Sequence, residues 1–223
     1  SNITFNPLIY HKNKEGIYLH SSNTERRKLL DISKKEFSES TEKLISFIDL
    51  AGHQKYLKTT VYGVTGLFPD YGIVVIGANT GITKLTREHI GILFYLNIPF
   101  IICITKIDLA PRHVYQKLCN RLKNLLTKNT FGKIVYFISD SDKRHGETTQ
   151  YIDNMLGNPE IIPIISISNK DGKNINNLHL ILSQIPNREK WKKDEIDGSI
   201  VYIDSTFQVP GIGLVLSGMV KGD

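Results

Sequence analysis

Apolar residues along this chain fall into alternating segments, short unbroken runs followed by stretches with one apolar face, and the alternation begins near Leu44. Leu44–Leu50 reads as a strand. After a turn at Gly52, Gln54 to about Gly66 reads as a helix. Tyr71–Ala78, with Ile73, Val74, Val75 and Ile76 in a row, is a run of the kind found in strands buried on both faces of a parallel sheet. Thr83 to about Asn97 reads as a helix with Ile90, Leu93 and Leu96 on one face. Pro99–Ile104 is another buried strand, and the segment after Pro111, to about Lys128, is another helix. Lys133–Ile138 and Ile161–Ile167 are further strands, and Asn174–Ile185 is a last helix. Strand and helix alternating at this spacing predict βαβ units with right-handed crossovers, hence an α/β fold with a mostly parallel sheet and helices on both faces.

The flanks break the pattern. Residues 1–41 are polar, with Arg26-Arg27-Lys28 and Lys34-Lys35, and only Leu8-Ile9-Tyr10 and Ile17-Tyr18-Leu19 look strand-like. Residues 139–158 are polar and rich in Asp and Gly, which predicts a loop. Pro186–Glu195, with Lys190, Lys192 and Lys193, reads as a charged linker. Beyond it, Ser199–Asp204 and Leu214–Val220 alternate around Gly211 and Gly213, the pattern of a β-hairpin. The expected organisation is an α/β domain over 1–186, a linker over 187–195 and the start of a β-domain over 196–223. No internal repeat is visible.

In open α/β sheets, ligands bind beyond the carboxyl ends of the strands. Three polar signatures sit there in order: Asp49-Leu50-Ala51-Gly52-His53, Thr105-Lys106-Ile107-Asp108 and Ser166-Ile167-Ser168-Asn169. Asp49-x-x-Gly52 suits a terminal phosphate and Mg²⁺: a carboxylate holds this hard cation through water, and a glycine lets a backbone N–H approach a phosphate oxygen without Cβ interference. The same four residues alone are equally a turn at a strand end. An imidazole at His53 could orient an attacking water; a solitary histidine is more often structural. Asp108 can accept hydrogen bonds from guanine N1–H and N2–H₂, a donor pair that adenine lacks, or it can simply cap a helix. The Lys106 stem can lie over a purine ring with its charge in solvent. Backbone N–H groups at Ser168-Asn169 could meet guanine O6, although Ser-Asn is also an ordinary turn pair.

Composition adds bounds. Hydrophobic residues make up 40% of the 223, enough for a packed core. A formal net charge of +6 suits an anionic partner such as RNA, and equally a plain basic protein. Cys103 and Cys119 have neither metal-ligand nor redox spacing, so buried or incidental thiols in a reducing compartment are expected. No apolar run reaches the roughly 18–20 residues that span a membrane. The start, Ser1-Asn2-Ile3-Thr4-Phe5, is unlike a secretory signal, and a cytoplasmic protein with no membrane partner is the expectation.

Together the three signatures resemble the third, fourth and fifth motifs of P-loop GTPases. The stretch from Phe47 to Thr60, with Asp49-Leu50-Ala51-Gly52-His53 and then Lys55-Tyr56-Leu57-Lys58-Thr59-Thr60, is more specific. It resembles the elongation-factor Tu superfamily, whose usual form is Asp-x-Pro-Gly-His; here Ala51 replaces the proline. Leu-Ala-Gly-His-x-Lys-Tyr-Leu-Lys-Thr-Thr, with Pro69-Asp70 and Thr86-x-Glu88-His89, is similar to the GTP-binding protein 1 and 2 branch. Gln208–Gly218 resembles the opening of that superfamily's β-barrel domain.

The resemblance implies a P-loop GTPase fold and hydrolysis of GTP to GDP, with guanine nucleotide and Mg²⁺ as ligands. It implies the ribosome, tRNA or other RNA as partners, and not DNA. Asp49 would serve the metal, and Asp49, Leu50, Ala51 and Gly52 the γ-phosphate side. His53 would be the catalytic, water-orienting residue. Thr105, Lys106 and Asp108 would hold the base, with Ser168 and Asn169 assisting. One departure stands out. No Gly-x-x-x-x-Gly-Lys-[Ser/Thr] occurs in the 223 residues, and Gly132-Lys133 and Gly172-Lys173 are not followed by Ser or Thr. That loop cradles the α- and β-phosphates. The chain as given is therefore expected to bind GTP weakly or not at all and to be inactive alone. It is either part of a longer GTPase or a nucleotide-free RNA- or ribosome-binding relic; an ATP-using enzyme is disfavoured by Asp108.

Overall fold

A computed structural model describes residues 4–12, 18–21, 43–50, 52, 55, 57–66, 69–128, 132–138, 158, 160–186 and 200–221. The chain divides into two compact units. One comprises Asn2–Asp49 and Tyr71–Pro186; the other comprises Leu50–Asp70 and Asn187–Asp223, together with Ser1.

The first unit holds two sheets. Strands β4 (Gly72–Gly77), β5 (Phe100–Thr105), β6 (Ile134–Ile138) and β7 (Ile161–Ser166) form a parallel sheet in the order β4-β5-β7-β6. The unbroken apolar runs belong to the central strands. In β5, Phe100–Ile104 are all buried, and in β7 so are Ile162–Ser166, as expected for strands covered on both faces. The outer strand β4 alternates instead: Val74 and Ile76 are buried, while Ile73 and Val75 are 36% and 62% exposed.

Helices α2 (Lys84–Tyr95), α3 (Arg112–Thr127) and α4 (Ile175–Gln184) connect or follow these strands. The α2 helix starts where Thr83 and Thr86 cap each other reciprocally, and it buries Ile90 and Leu93. Leu96, expected on the same face, is only half-buried. Gly72 lets α2 close on the sheet: a Cβ there would lie 2.8 Å from Leu93 Cδ1. Leu118, Leu122 and Leu126 form the buried stripe of α3 at four-residue spacing. On the α4 side of the sheet, Ile101 and Cys103 of β5 pack with Ile165, Ile167, Ile181 and Ile185.

The second sheet is antiparallel. Strands β1 (Thr4–Lys12), β2 (Tyr18–Ser21) and β3 (Lys43–Asp49) run in the order β2-β1-β3, with Thr4 opposite Asp49 and Tyr10 opposite Lys43. The strand at Leu44, which the alternation places at the head of the βαβ series, thus pairs antiparallel with β1 and not with the parallel strands. Its attachment to the unit runs through α4. Tyr10, 1% exposed, hydrogen-bonds through its hydroxyl to His179 Nδ1 at 3.0 Å. Lys43 Nζ donates to the carbonyls of Ser183 (3.3 Å) and Ile185 at the helix C-terminus, where a cation is favoured by both the unpaired carbonyls and the dipole. Ile45 packs on the Ile101–Ile185 cluster.

In the other unit, α1 (Leu57–Gly66) and a hairpin of β8 (Ile200–Val209) and β9 (Gly213–Lys221) are described. The hairpin matches the sequence pattern and is longer than it. Its register shifts between Ile203 and Ser205, opposite the position where Gly218 approaches the Tyr202 backbone too closely for any Cβ. The expected loop over 139–158 and the linker over 187–195 lie almost wholly outside the described residues.

Both thiols are free. Burial pushes the Cys103 thiol from 9.0 up to about 11. The neutral thiol therefore contributes stability that is complete below pH 9.0 and is lost as pH rises through about 11. Urea midpoints measured from about pH 8 to about pH 11 should fall more steeply in the wild type than in Cys103→Val. Parallel slopes would place the alkaline loss elsewhere.

Candidate functional site

The parallel strands end in step. Gly77 of β4 is level with Thr105 of β5, and Ile104 of β5 is level with Ser166 of β7. Two backbone bonds tie the following loops together: Ala78 N–H donates to Thr105 O at 2.8 Å, and Ile167 N–H to Ile104 O at 2.7 Å. The loops after β4, β5 and β7 consequently share one rim of the sheet.

After Thr105, Lys106 adopts a left-handed conformation (φ 58°, ψ 36°) and a 3₁₀ turn follows over Ile107–Leu109, closed by Leu109 N–H donating to Lys106 O at 3.1 Å. A left-handed lysine is a strained backbone position that side-chain-bearing residues seldom occupy. It makes the chain reverse sharply at the end of the strand, and Lys106 and Asp108 are both left solvent-exposed at the rim.

Ser168 lies across from this turn. It is 0% exposed, and its hydroxyl donates to Asp108 Oδ1 at 2.9 Å. Two of the three signatures, 60 residues apart, are thereby joined side chain to side chain. A hydrogen bond to one carboxylate oxygen restrains rotation of the exposed carboxylate, and because the acceptor is charged the bond is a strong one. The Ser168 N–H is already committed to Lys173 O at 3.1 Å. Of the two N–H groups considered for guanine O6, only that of Asn169, which is exposed, remains.

Residues not singled out in the sequence brace this loop. The Tyr115 hydroxyl of α3 and the Ser166 hydroxyl lie 2.9 Å apart in hydrogen-bond contact. Burial, foremost, pushes the Tyr115 hydroxyl above its ordinary pKa. Asn174 Nδ2 donates to the Ser166 carbonyl at 2.7 Å. Asn174 is left-handed (φ 60°), as is Gly172 (φ 73°). Gly-x-Asn directly before a helix was the available signal, since Gly and Asn are the residues that best tolerate this conformation.

The remaining signature is only partly described. Asp49 ends β3 and is exposed, and Gly52 is exposed with nothing within 4 Å of where a Cβ would stand. Gly52 belongs to the second unit, whereas Asp49 and the base cluster belong to the first. Ala51 and His53 lie outside the described residues. Among the described residues no group of three or more His, Cys, Asp or Glu could form a metal cage. A lone exposed carboxylate at Asp49 is what Mg²⁺ asks of a protein when waters and phosphate oxygens supply its other ligands.

Relatives give this arrangement a family. The chain is 37% identical over 180 residues to GTP-binding protein 1 of Xenopus laevis, a match covering 81% of this chain and 26% of that protein. It is 30% identical over 224 aligned residues to human GTP-binding protein 2, covering 99% of this chain and 35% of that protein. It thus spans only about a quarter to a third of these relatives' length. Among solved structures it resembles translation elongation factor SelB of Methanococcus maripaludis in complex with the GTP analogue GppNHp. The TM-score is 0.53 and the identity 25%, over 80% of this chain and 33% of that one. The family profile of the elongation factor Tu GTP binding domain matches residues 8–187. A parallel sheet whose rim joins a Thr-Lys-x-Asp turn to a Ser-Asn loop, in a chain matched over that span, belongs to the elongation factor Tu GTP-binding domain family.

Proposed function

We propose that this chain is the guanine-reading part of a GTPase that hydrolyses GTP to GDP and phosphate and works in the cytoplasm with the ribosome, tRNA or another RNA. The observation that carries the reading is the Ser168–Asp108 hydrogen bond at the rim of the sheet. With Oδ1 held by Ser168, the carboxylate accepts from guanine N1–H and N2–H₂, the Asn169 N–H meets O6, and the Lys106 stem covers one face of the ring. Thr105 carries the strand into this turn. Adenine would leave the acceptor pair facing no donors, which is the source of selectivity.

Asp49 would hold Mg²⁺ through water, and the bound ion would offset charge on the phosphates. Leu50, Ala51 and Gly52 would bring the backbone to the γ-phosphate, and His53 would orient the attacking water. The domain organisation that goes with this reading is a nucleotide domain over 1–186, a linker over 187–195 and a β-domain beginning at 196. The selenocysteine-specific elongation factor of Escherichia coli is 24% identical over 195 residues, and such relatives support an RNA-linked role.

Two measurements test the reading. Titration of the chain with GMP and with AMP, followed by amide chemical shifts, should show guanine-selective changes at Asp108, Ser168 and Asn169. Equal responses to the two nucleotides would refute guanine reading. In a protein that joins these residues to a phosphate-binding loop, His53→Ala should leave nucleotide binding intact and lower ribosome-stimulated hydrolysis by about 10²–10⁴-fold. Unchanged turnover would remove His53 from the chemistry.

A further inference from the structure

The loop between β7 and α4 is held by one side chain in an unusual manner. Asparagine at the start of a helix ordinarily accepts a hydrogen bond from the first-turn N–H groups. Asn174 occupies that place and makes no such cap bond. Its backbone is left-handed (φ 60°, ψ 9°), and its amide reaches back eight residues to the Ser166 carbonyl at 2.7 Å. Its Oδ1 is buried without a hydrogen-bond partner among the described residues. Leaving a buried acceptor unpaired is unfavourable. Glycine would suit the left-handed backbone with no such penalty. What asparagine supplies and glycine cannot is the Nδ2–Ser166 bond.

That bond closes a ring. Ser166 is fixed at its carbonyl by Asn174 and at its hydroxyl by Tyr115. Within the ring, Ser168 N–H donates to Lys173 O; the Ser168 hydroxyl donates to Asp108 Oδ1 and also holds the Asp171 carboxyl of the same loop below its ordinary pKa. We propose that Asn174 is a positioning residue of the base site, acting through the closed 166–174 loop to hold Ser168 against Asp108 so that the carboxylate is aligned for the guanine edge. The inference rests on the guanine reading of Asp108 and adds to it the group that sets its precision. Loosening the loop lets the Asp108 carboxylate rotate, and a rotated carboxylate accepts N1–H without N2–H₂.

The experiment compares GMP with IMP, which keeps N1–H and lacks the 2-amino group, in amide-shift titrations of the 223-residue chain. The variants are Asn174→Gly, which keeps the left-handed backbone and deletes the side chain, and Asn174→Asp, which keeps the size and turn preference and deletes the donor. The wild type should prefer GMP about tenfold, the worth of one hydrogen bond to a charged acceptor. Both variants should lose most of that ratio, about fivefold, at unchanged helix content. A merely structural role would weaken both nucleotides equally and leave the ratio alone. Retention of the wild-type ratio in both variants overturns the inference and leaves the guanine reading standing. A wild type that does not prefer GMP to IMP overturns the inference, and the guanine reading is then decided by the GMP-against-AMP titration alone. Should the variants not fold, the wild type still decides: the Asn174 side-chain amide resonance should move with GMP more than with IMP, and equal or absent shifts overturn the inference.

Discussion

Replacing Asp108 by alanine should abolish the guanine-over-adenine preference proposed for this chain, a loss of about 10²-fold or more. Two hydrogen bonds from the base edge to a charged acceptor are removed together, each worth about 1.5–3 kcal/mol. A second consequence follows from Ser168. Its hydroxyl is buried and donates to Asp108 at 2.9 Å, so truncation removes this bond and leaves Asp171, whose carboxyl the same hydroxyl holds below its ordinary pKa, as the remaining acceptor. Loss of that one bond costs about 1 kcal/mol in fold stability. The preference, measured as the ratio of GMP to AMP affinity in the folded variant, separates the two effects. Loss of stability scales both nucleotides alike, and loss of the acceptor removes guanine's advantage only. A variant that keeps the wild-type ratio would show that another group reads the base.

Ile104→Ala should produce the largest loss of stability among single substitutions near the site, about 2–5 kcal/mol. Ile104 is 0% exposed in a central strand, level with Ser166, and its carbonyl accepts from Ile167 N–H at 2.7 Å. Deleting its side chain opens a cavity between the sheet and its covering helices, directly beneath the loops after β5 and β7. A domain stable by about 5–15 kcal/mol would lose a large fraction of that margin. Val75→Ala is the control: Val75 is 62% exposed on β4, and the change should stay within about 0.5 kcal/mol. Urea midpoints of the two variants give the comparison. Equal losses would contradict the division of β4 and β5 into open and closed faces.

The course of the chain was legible because apolar periodicity and strand-end polarity are local. The strand expected over Pro99–Ile104 forms over Phe100–Thr105 and is buried as far as Ile104, and Thr83 opens α2 where the helical rhythm begins. The rim motifs were legible for the same reason: Thr105-Lys106-Ile107-Asp108 and Ser168-Asn169 are contiguous residue types with a chemistry of their own. The pairing of β3 was not legible. Alternation of residues fixes which face a strand shows and not which neighbour it takes, and β3 takes β1 in antiparallel register. Nor were the braces of the site, because Tyr115, Ser166 and Asn174 are ordinary residues until folding brings a helix hydroxyl, a strand end and a helix start within hydrogen-bond reach.

The amino-acid order alone determined the α/β alternation from Tyr71 to Ile185, the hairpin near the end, and the polar residue types gathered at the strand ends. Tertiary structure decided that Ser168 presents its hydroxyl to Asp108, that its N–H is held by Lys173 and so is lost to the base, and that Asn174 faces back to Ser166. The reason is one of range. Periodicity and residue chemistry act over a few neighbours, whereas the direction in which a carboxylate points depends on partners that meet only after strands far apart in sequence have paired.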